Sequence, residues 1–596
     1  GSNPCGGTII MELYINIFIY ILLFTFFSLS IFGYGYYFKK ILIDDKEESI
    51  GEYGLFGFIF LYIISVIIHF FLSLNLYLTL TILILGFVLS IISLKKIELI
   101  HYPKKILIPF IFLFLILGAS NNPHDDAYLY QLPYLSYVQN EKLVFGLVNI
   151  NEFTAYSNSF YDIMSLFKFP LVNNQSVYLI PTIFFMFFFI FLIEKFNQSS
   201  KILKIFIYSI LILSLLKFTR SKEFGTDIPV IALIFLIQFY VLKFLENKDF
   251  NLINKIIIFV TFSFFLKAYS VLAALYLMVF YKNIKLFFKS NHKYLNTFIL
   301  VFLIIAVSSF KNIAHSGCVS YPIKITCFDK NIVSWSNGHE IVDLRNKGLV
   351  AGSKGIKAYI RSNERSENVI SAEEYLKKFK YSYHLNVIKD PDFERLLVVI
   401  SIFIIFIFIS LINKYRKKNP IIENSNLLKI NLFQFIIFIV PMILWWILIP
   451  ISKYGGYAYL LFGIFSFCIY FNLIKSISFK QLNVITVICI IYFLGKSIDR
   501  ISSEYNDQEY SNQSYPLPTY RYQNFEIEKL NNKIFRVTEN LKRCGDIKFP
   551  CLERPHFNAI KNVTNKNGYL FLEGIKEKQI ENIKIEQNWA YNTNNF

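Results

Sequence analysis

The sequence predicts an all-α polytopic membrane protein with smaller α/β or mixed segments outside the bilayer. Three observations predict it. Of 596 residues, 55% are hydrophobic and 17% are charged, against about 25% charged in average soluble domains. Apolar runs long enough to cross a ~30 Å hydrocarbon core recur along the whole chain. Lys and Arg in the short connections fall mostly on one side of those runs. Together these exclude an ordinary soluble enzyme, a disordered chain and a collagen-like fibre. The formal net charge of +19 is dispersed through short loops with no basic domain. That argues against a nucleic-acid partner and for a cytoplasmic-side bias.

In chain order, the apolar runs lie near 13–33, 54–73, 77–94, 105–120, 177–194, 203–218, 228–245, 255–266, 268–281, 295–310, 396–413, 431–450, 455–474 and 481–496. The stretch 255–281 is interrupted at Lys267-Ala-Tyr-Ser270 and is read as two short segments, which keeps the later topology consistent. With the N-terminus outside, the short inside loops hold 24 Lys and Arg and the short outside loops hold 7. The first run is long and lacks a basic n-region, so no cleavable signal peptide is expected. Residues 1–10, ahead of Met11, are expected to be a cloning scar.

The expected frame is then an N-terminal transmembrane module at 11–310, carrying external loops at 121–176 and 217–227. An extracytoplasmic loop domain follows at 311–395, then transmembrane helices at 396–496 and an extracytoplasmic tail at 497–596. This implies an inner-membrane, multi-pass protein. Cysteine usage fits it independently. Cys468 and Cys489 fall in spans, while Cys318 and Cys327 share one outside loop and Cys544 and Cys551 share the tail. Paired external cysteines suit an oxidising compartment, and Cys318–Cys327 and Cys544–Cys551 disulfides are predicted. Ser371-Ala-Glu-Glu374 reads as a capping box, with Tyr375, Leu376, Phe379 and Tyr383 following at helical spacing.

Chemistry concentrates where spans emerge on the outside. Asp125 and Asp126 are adjacent carboxylates flanked by His124 and Tyr128. Two like charges so close raise at least one pKa, which suits a general base, a metal ligand, or both. The plainer reading is a solvated helix N-terminus. Thr219-Arg-Ser-Lys-Glu-Phe-Gly-Thr-Asp-Ile-Pro229 packs Arg220, Lys222, Glu223 and Asp227 into one short turn. Cations at a membrane face bind phosphate oxygens, whereas Thr226 or Asp227 ahead of Pro229 also reads as a helix cap. Lys267 interrupts an apolar run, which marks either a functional site or a snorkelling side chain. Ser316-Gly-Cys-Val-Ser-Tyr-Pro322 follows one span, and Pro450-Ile-Ser-Lys-Tyr-Gly-Gly456 places Lys453 between two others.

These elements, in this order, resemble the GT-C superfamily of integral-membrane glycosyltransferases. The likeness is to the branch of lipid A aminoarabinose transferase and the protein O-mannosyltransferases. Members carry an acidic pair in the first large external loop, matched by Asp125-Asp126. A short second loop with an acidic residue is matched by Gly225-Thr-Asp-Ile-Pro229, and a Ser-Gly-x-x-x-Tyr-Pro element by Ser316 to Pro322. A Pro-x-x-Arg-Tyr element is matched by Pro450 to Tyr454, with Lys453 where Arg is usual. That exchange keeps the charge but loses the bidentate fork. The resemblance covers roughly the first 310 residues and a piece near 450, and leaves 311–395 and the tail without a counterpart.

The resemblance implies inverting transfer of a sugar from a polyprenyl-phosphate donor to an acceptor hydroxyl on a glycan, lipid or protein. Asp125 or Asp126 would be the base. Arg220, Lys222, Lys267 and Lys453 would hold the donor phosphate. His124, Tyr128, Asp227 and Tyr321 would meet the acceptor or a metal. A divalent ion, Mg2+ or Mn2+, would use Asp125, Asp126 and Asp227. The alternatives are an O-antigen polymerase or ligase, which relies on external Arg and His, and a transporter or flippase, which usually shows repeated halves and midplane charges. No two-half pattern is evident, and His69 is the main residue in favour of a transporter.

Overall fold

A computed structural model describes residues 5–43, 47–96, 111–117, 126–169 without 155, 157 and 158, 176–218, 225–290, 294–356, 371–380, 397–415 in part, 430–506, 516, 524–539 and 543–575 without 546. The chain is a helical bundle with a small sheet region near its C-terminus. Seven helices among the described residues are long and apolar enough to cross a membrane, and Asn251–Leu266 and Leu432–Leu448 are shorter apolar helices. Helices Ser176–Gln198 and Asp227–Asn247 are almost wholly enclosed by protein. The helix Phe479–Asn506 instead exposes Val484, Val487, Ile488 and Ile491. Exposed apolar rows of this kind need lipid as their solvent, and the fold is that of a multi-pass membrane protein.

The interrupted run is two antiparallel segments. Helix Asn251–Leu266 ends at Lys267, whose backbone is extended at φ −155°, and a 3-10 helix runs from Ala268 to Asn283. Tyr276 accepts a 3.1 Å hydrogen bond from Gln238, and Phe280 packs on Phe244 at 4.6 Å. The second segment therefore runs alongside helix Asp227–Asn247, and the chain reverses at Lys267. A 3-10 helix rises about 2.0 Å per residue. Sixteen residues so wound reach about 32 Å, enough for a crossing that an α-helix of that length would not make.

At the opposite end of the bundle from Lys267, charges are buried. Glu52 is fully enclosed and pairs with Lys39 and with Lys255 at 2.6 Å, and Tyr240 donates to it as well. Glu47 pairs with Lys195 at 2.7 Å. Glu194 accepts from the backbone N–H of Ile50 at 2.9 Å and from Ser49. Several lysines counted from sequence as loop charges thus lie inside the protein and tie five helices together.

The segments beyond the other end form one assembly. The disulfides Cys318–Cys327 and Cys544–Cys551 are both present. In the tail, β1 (Glu526–Leu530) and β2 (Lys533–Thr538) pair antiparallel, and β3 (Cys551–Glu553) joins β2 in parallel. β4 (Ile560–Lys566) and β5 (Tyr569–Ile575) form a separate hairpin. Its turn, Asn567-Gly568, has φ of 52° and 79°, as a two-residue type I′ connection requires. Phe145 lies beside β5, donating its N–H to Leu570 at 2.9 Å and accepting from Leu572 at 2.8 Å. Trp335 packs on Phe145 and Phe571 at 5.0 and 5.5 Å and donates its indole N–H to Ile313. Loop, loop domain and tail therefore meet at one aromatic junction.

Two expectations change and one element is new. The span read as ending near 310 continues as helix Tyr294–Ser316, drawing Lys311 and His315 into the protein. A helix at Gly338–Ser353 was not foreseen. The capped helix forms at Ala372–Lys378, with Ser371 accepting from the N–H of Glu374, and stops before Phe379; Tyr383 lies outside the described residues.

Candidate functional site

The reversal at Lys267 places its ammonium beside the start of helix Asp227–Asn247. Lys267 Nζ lies 3.3 Å from Asp227 Oδ1, with both side chains about three-quarters enclosed, at 31% and 26% exposure. Lys267 also sits over the ring of Tyr454, 5.7 Å from its centroid. Burial works against the ammonium. Asp227, Tyr454 and Tyr130 together outweigh it, so the Lys267 pKa stands above its ordinary value.

Tyr454 belongs to the turn Ser452–Gly456, where Gly455 has φ +81°. A Cβ there would come within 2.7 Å of Tyr459 and 3.1 Å of Tyr269, so glycine lets the turn lie flat on those rings. Tyr269 stacks on Tyr454 at 5.5 Å, and its hydroxyl donates to the Lys453 carbonyl at 3.4 Å. Lys453 is exposed, with its ammonium 5.6 Å from the Tyr454 ring.

Asp126 enters from a third element. It precedes a π-helical turn, Ala127–Gln131, and its carboxylate makes no capping bond. Isolated π-turns in helices are frequent at functional sites. Burial raises the Tyr130 pKa; Lys267 opposes, while Asp126 and Asp227 add to the rise. Burial likewise holds Tyr161 well above the ordinary phenol value, with Tyr130, Asp227 and Asp126 reinforcing it. Both carboxylates therefore address one pair of neutral tyrosines, whose rings lie 6.3 Å apart. Beside these residues, Gln131 Oε1, Thr226 Oγ1 and Ser452 Oγ are buried without a hydrogen-bond partner among the described residues. Buried acceptors and hydroxyls so placed suit a polar ligand.

Of the residues singled out from sequence, Asp126, Asp227, Lys267 and Lys453 gather at this end. His124, Asp125, Arg220 and Lys222 lie outside the described residues. Tyr128 faces the tail, where its ring edge stands 3.4 Å from the Cβ position of Gly545. Tyr321 is placed elsewhere. It is buried in a small core with Val148, Cys318, Cys327 and Val342, and its hydroxyl accepts from Arg345 at 3.2 Å. Edge-on, tilted and stacked ring contacts through Tyr156 and Phe153 connect it to Tyr130. Among the described residues no three metal-ligating side chains converge. The described carboxylate candidates for a divalent ion are Asp126 and Asp227, and Asp227 already faces an ammonium.

Sequence reasoning missed Tyr130, Tyr161, Gln131 and Ser452, and read Thr226 as a helix cap, the position it holds. It also missed a buried polar core behind the site. Lys311 pairs with Asp162, to which the Tyr134 hydroxyl donates at 2.6 Å. Tyr137 bonds His315 at 3.1 Å and packs on His69, whose Nε2 lies 3.2 Å from the Glu141 carbonyl. His69 thus has a packing role at the top of its helix. A lysine and a histidine four apart at the end of an apolar run were the available signal.

No curated protein and no solved structure matches the chain. A family model matches residues 13–461, from the first helix through the turn that carries Lys453 and Tyr454. By that match over most of its length, the chain belongs to the family described as a domain of unknown function, DUF8201.

Proposed function

We propose that the protein is a GT-C-type glycosyltransferase that moves a sugar from a polyprenyl phosphate to an acceptor hydroxyl on the extracytoplasmic face. The observation that carries this reading is the Lys267–Asp227 pair beneath Tyr454, next to tyrosines that Asp126 also addresses. It combines a fixed cation for a phosphate, carboxylates for a proton and aromatic rings for a sugar face, all where spans end. The apolar, lipid-facing helices suit a donor with a polyprenyl tail.

In the proposed step, a carboxylate of the Asp125-Asp126 pair takes the acceptor proton. The acceptor oxygen forms its bond to the anomeric carbon with inversion. The bond from that carbon to the phosphate oxygen breaks, and polyprenyl phosphate leaves with the electron pair. Lys267 and Lys453 stabilise the negative charge that develops on it. Asp227 holds Lys267 in place.

The test is transfer from a radiolabelled polyprenyl-phosphate sugar in proteoliposomes. Asp125→Asn or Asp126→Asn should lower turnover by about 10²- to 10⁴-fold, with donor binding retained. Full turnover in both variants would sink the proposal.

A further inference from the structure

We infer that the disulfide-closed loop of the tail, Cys544–Cys551, is a positioning element for the helical segment that starts at Asp126. The argument begins with Pro133. Residues Ala127–Gln131 are wound as a π-turn, in which the N–H of Leu132 reaches back to Ala127. The next residue has no N–H to give. In α geometry Pro133 would have served the carbonyl of Leu129, and in π geometry that of Tyr128. Both lose their regular helical donor.

Both are served from outside the helix. The N–H of Gly545 donates to the Tyr128 carbonyl at 3.0 Å. The Asn151 amide donates to the Leu129 carbonyl at 3.2 Å. One turn further on, Ser136 Oγ donates to the Ile547 carbonyl at 3.1 Å and accepts from the N–H of Phe549 at 3.1 Å. The Phe549 ring then packs on Tyr137 at 5.2 Å. Gly545, Ile547 and Phe549 all lie between the two bridged cysteines.

Backbone groups that lose their regular donor are costly to leave unpaired, so bonds from outside the helix help this segment hold its shape at Tyr128 and Leu129. Gly545 has φ +52°, and a Cβ there would meet Tyr128 at 3.4 Å. The loop is therefore fitted to the carbonyl it serves. By this route the tail holds the backbone of the segment that carries Asp126.

The activity arm of the test rests on the transferase reading; the exchange arm does not. The full chain in nanodiscs is compared with the double variant Cys544→Ser/Cys551→Ser by amide hydrogen exchange. Exchange across 128–140 should quicken about tenfold or more, while helix Asp227–Asn247 stays as protected as before. Unchanged exchange across 128–140 overturns the inference. If the double variant does not fold, Ser136→Ala, which removes only the hydroxyl, is read the same way.

In transfer assays the kcat of the double variant should fall about 10- to 100-fold with donor KM within about twofold. Adding Pro133→Ala, which restores an N–H to the helix, should recover most of that loss. A tail with a merely structural role would give a loss that Pro133→Ala leaves untouched, and that result also overturns the inference. If the unaltered protein transfers no sugar, the transferase reading fails and the exchange result still decides this one.

Discussion

Lys267 shows what one residue in an apolar run can mean. A charged side chain there had two readings, a site or a snorkelling cation. The structure gives it a carboxylate at 3.3 Å and an aromatic face. Because Asp227 lifts its pKa above the ordinary lysine value, the ammonium persists below that range and is lost only as pH climbs through the raised value. Donor KM should therefore stay flat from about pH 6 to pH 9 as far as Lys267 is concerned, since a free lysine already titrates near ~10.4. An alkaline rise in donor KM with a midpoint below that range, absent in Lys267→Arg, would contradict the assignment. Asp227→Asn should raise donor KM about tenfold by loosening Lys267, with a smaller effect on kcat; equal loss in both would count against a positioning role. Behind the site, Lys311→Met leaves Asp162 buried without its cation, with the Tyr134 hydroxyl still donating to it. It should cost about 3–5 kcal/mol of stability, read as a lower unfolding temperature in detergent. Asp126, Asp227 and Lys267 were legible because each departs from a simple local pattern. Tyr130 and Tyr161 were not, because a chain with 40 tyrosines gives no local sign of which two will face a carboxylate.

At the scale of elements, hydropathy located most helices but not their ends. Residues 295–310 read as a span, yet helix Tyr294–Ser316 carries Lys311 and His315 inward because Asp162 and Tyr137 wait there as partners. Such partners lie some 150 residues away in sequence and leave no periodic trace. The inner lysines are similar. Charge bias placed Lys39, Lys195 and Lys255 at one end of the bundle, but only the packing shows them paired with Glu52 and Glu47. Glu52→Gln strands two buried lysines and should lower stability by about 3–5 kcal/mol; an unchanged melting profile would show that the cluster relaxes into water. The tail hairpin turns at Asn567-Gly568, a strong short hairpin signal that the reading of the sequence left unused. Its 3-10 counterpart, Ala268–Asn283, had none, since nothing in an apolar run distinguishes three residues per turn from 3.6.

For the molecule as a whole, composition pointed to a multi-pass membrane protein, but the joining of the outer parts came only from the fold. Phe145, Trp335 and Phe571 belong to three segments that sequence treated as separate, and they pack together at 4.5 to 5.5 Å. Trp335→Ala should cost about 3–5 kcal/mol and expose the tail to limited proteolysis while the helices stay protected; simultaneous loss of both would argue against a separable junction.

The bonds between Ser136 and Phe549 close over 413 residues of chain. Ribosomes add about 5–20 residues per second, so on the order of 20–80 s pass between the synthesis of one partner and the other. Through that interval the N–H of Gly545 is not yet available to the Tyr128 carbonyl, and the contacts of the tail with this segment cannot form. These contacts therefore form late in synthesis, and a chain ending before Cys544 would lack them.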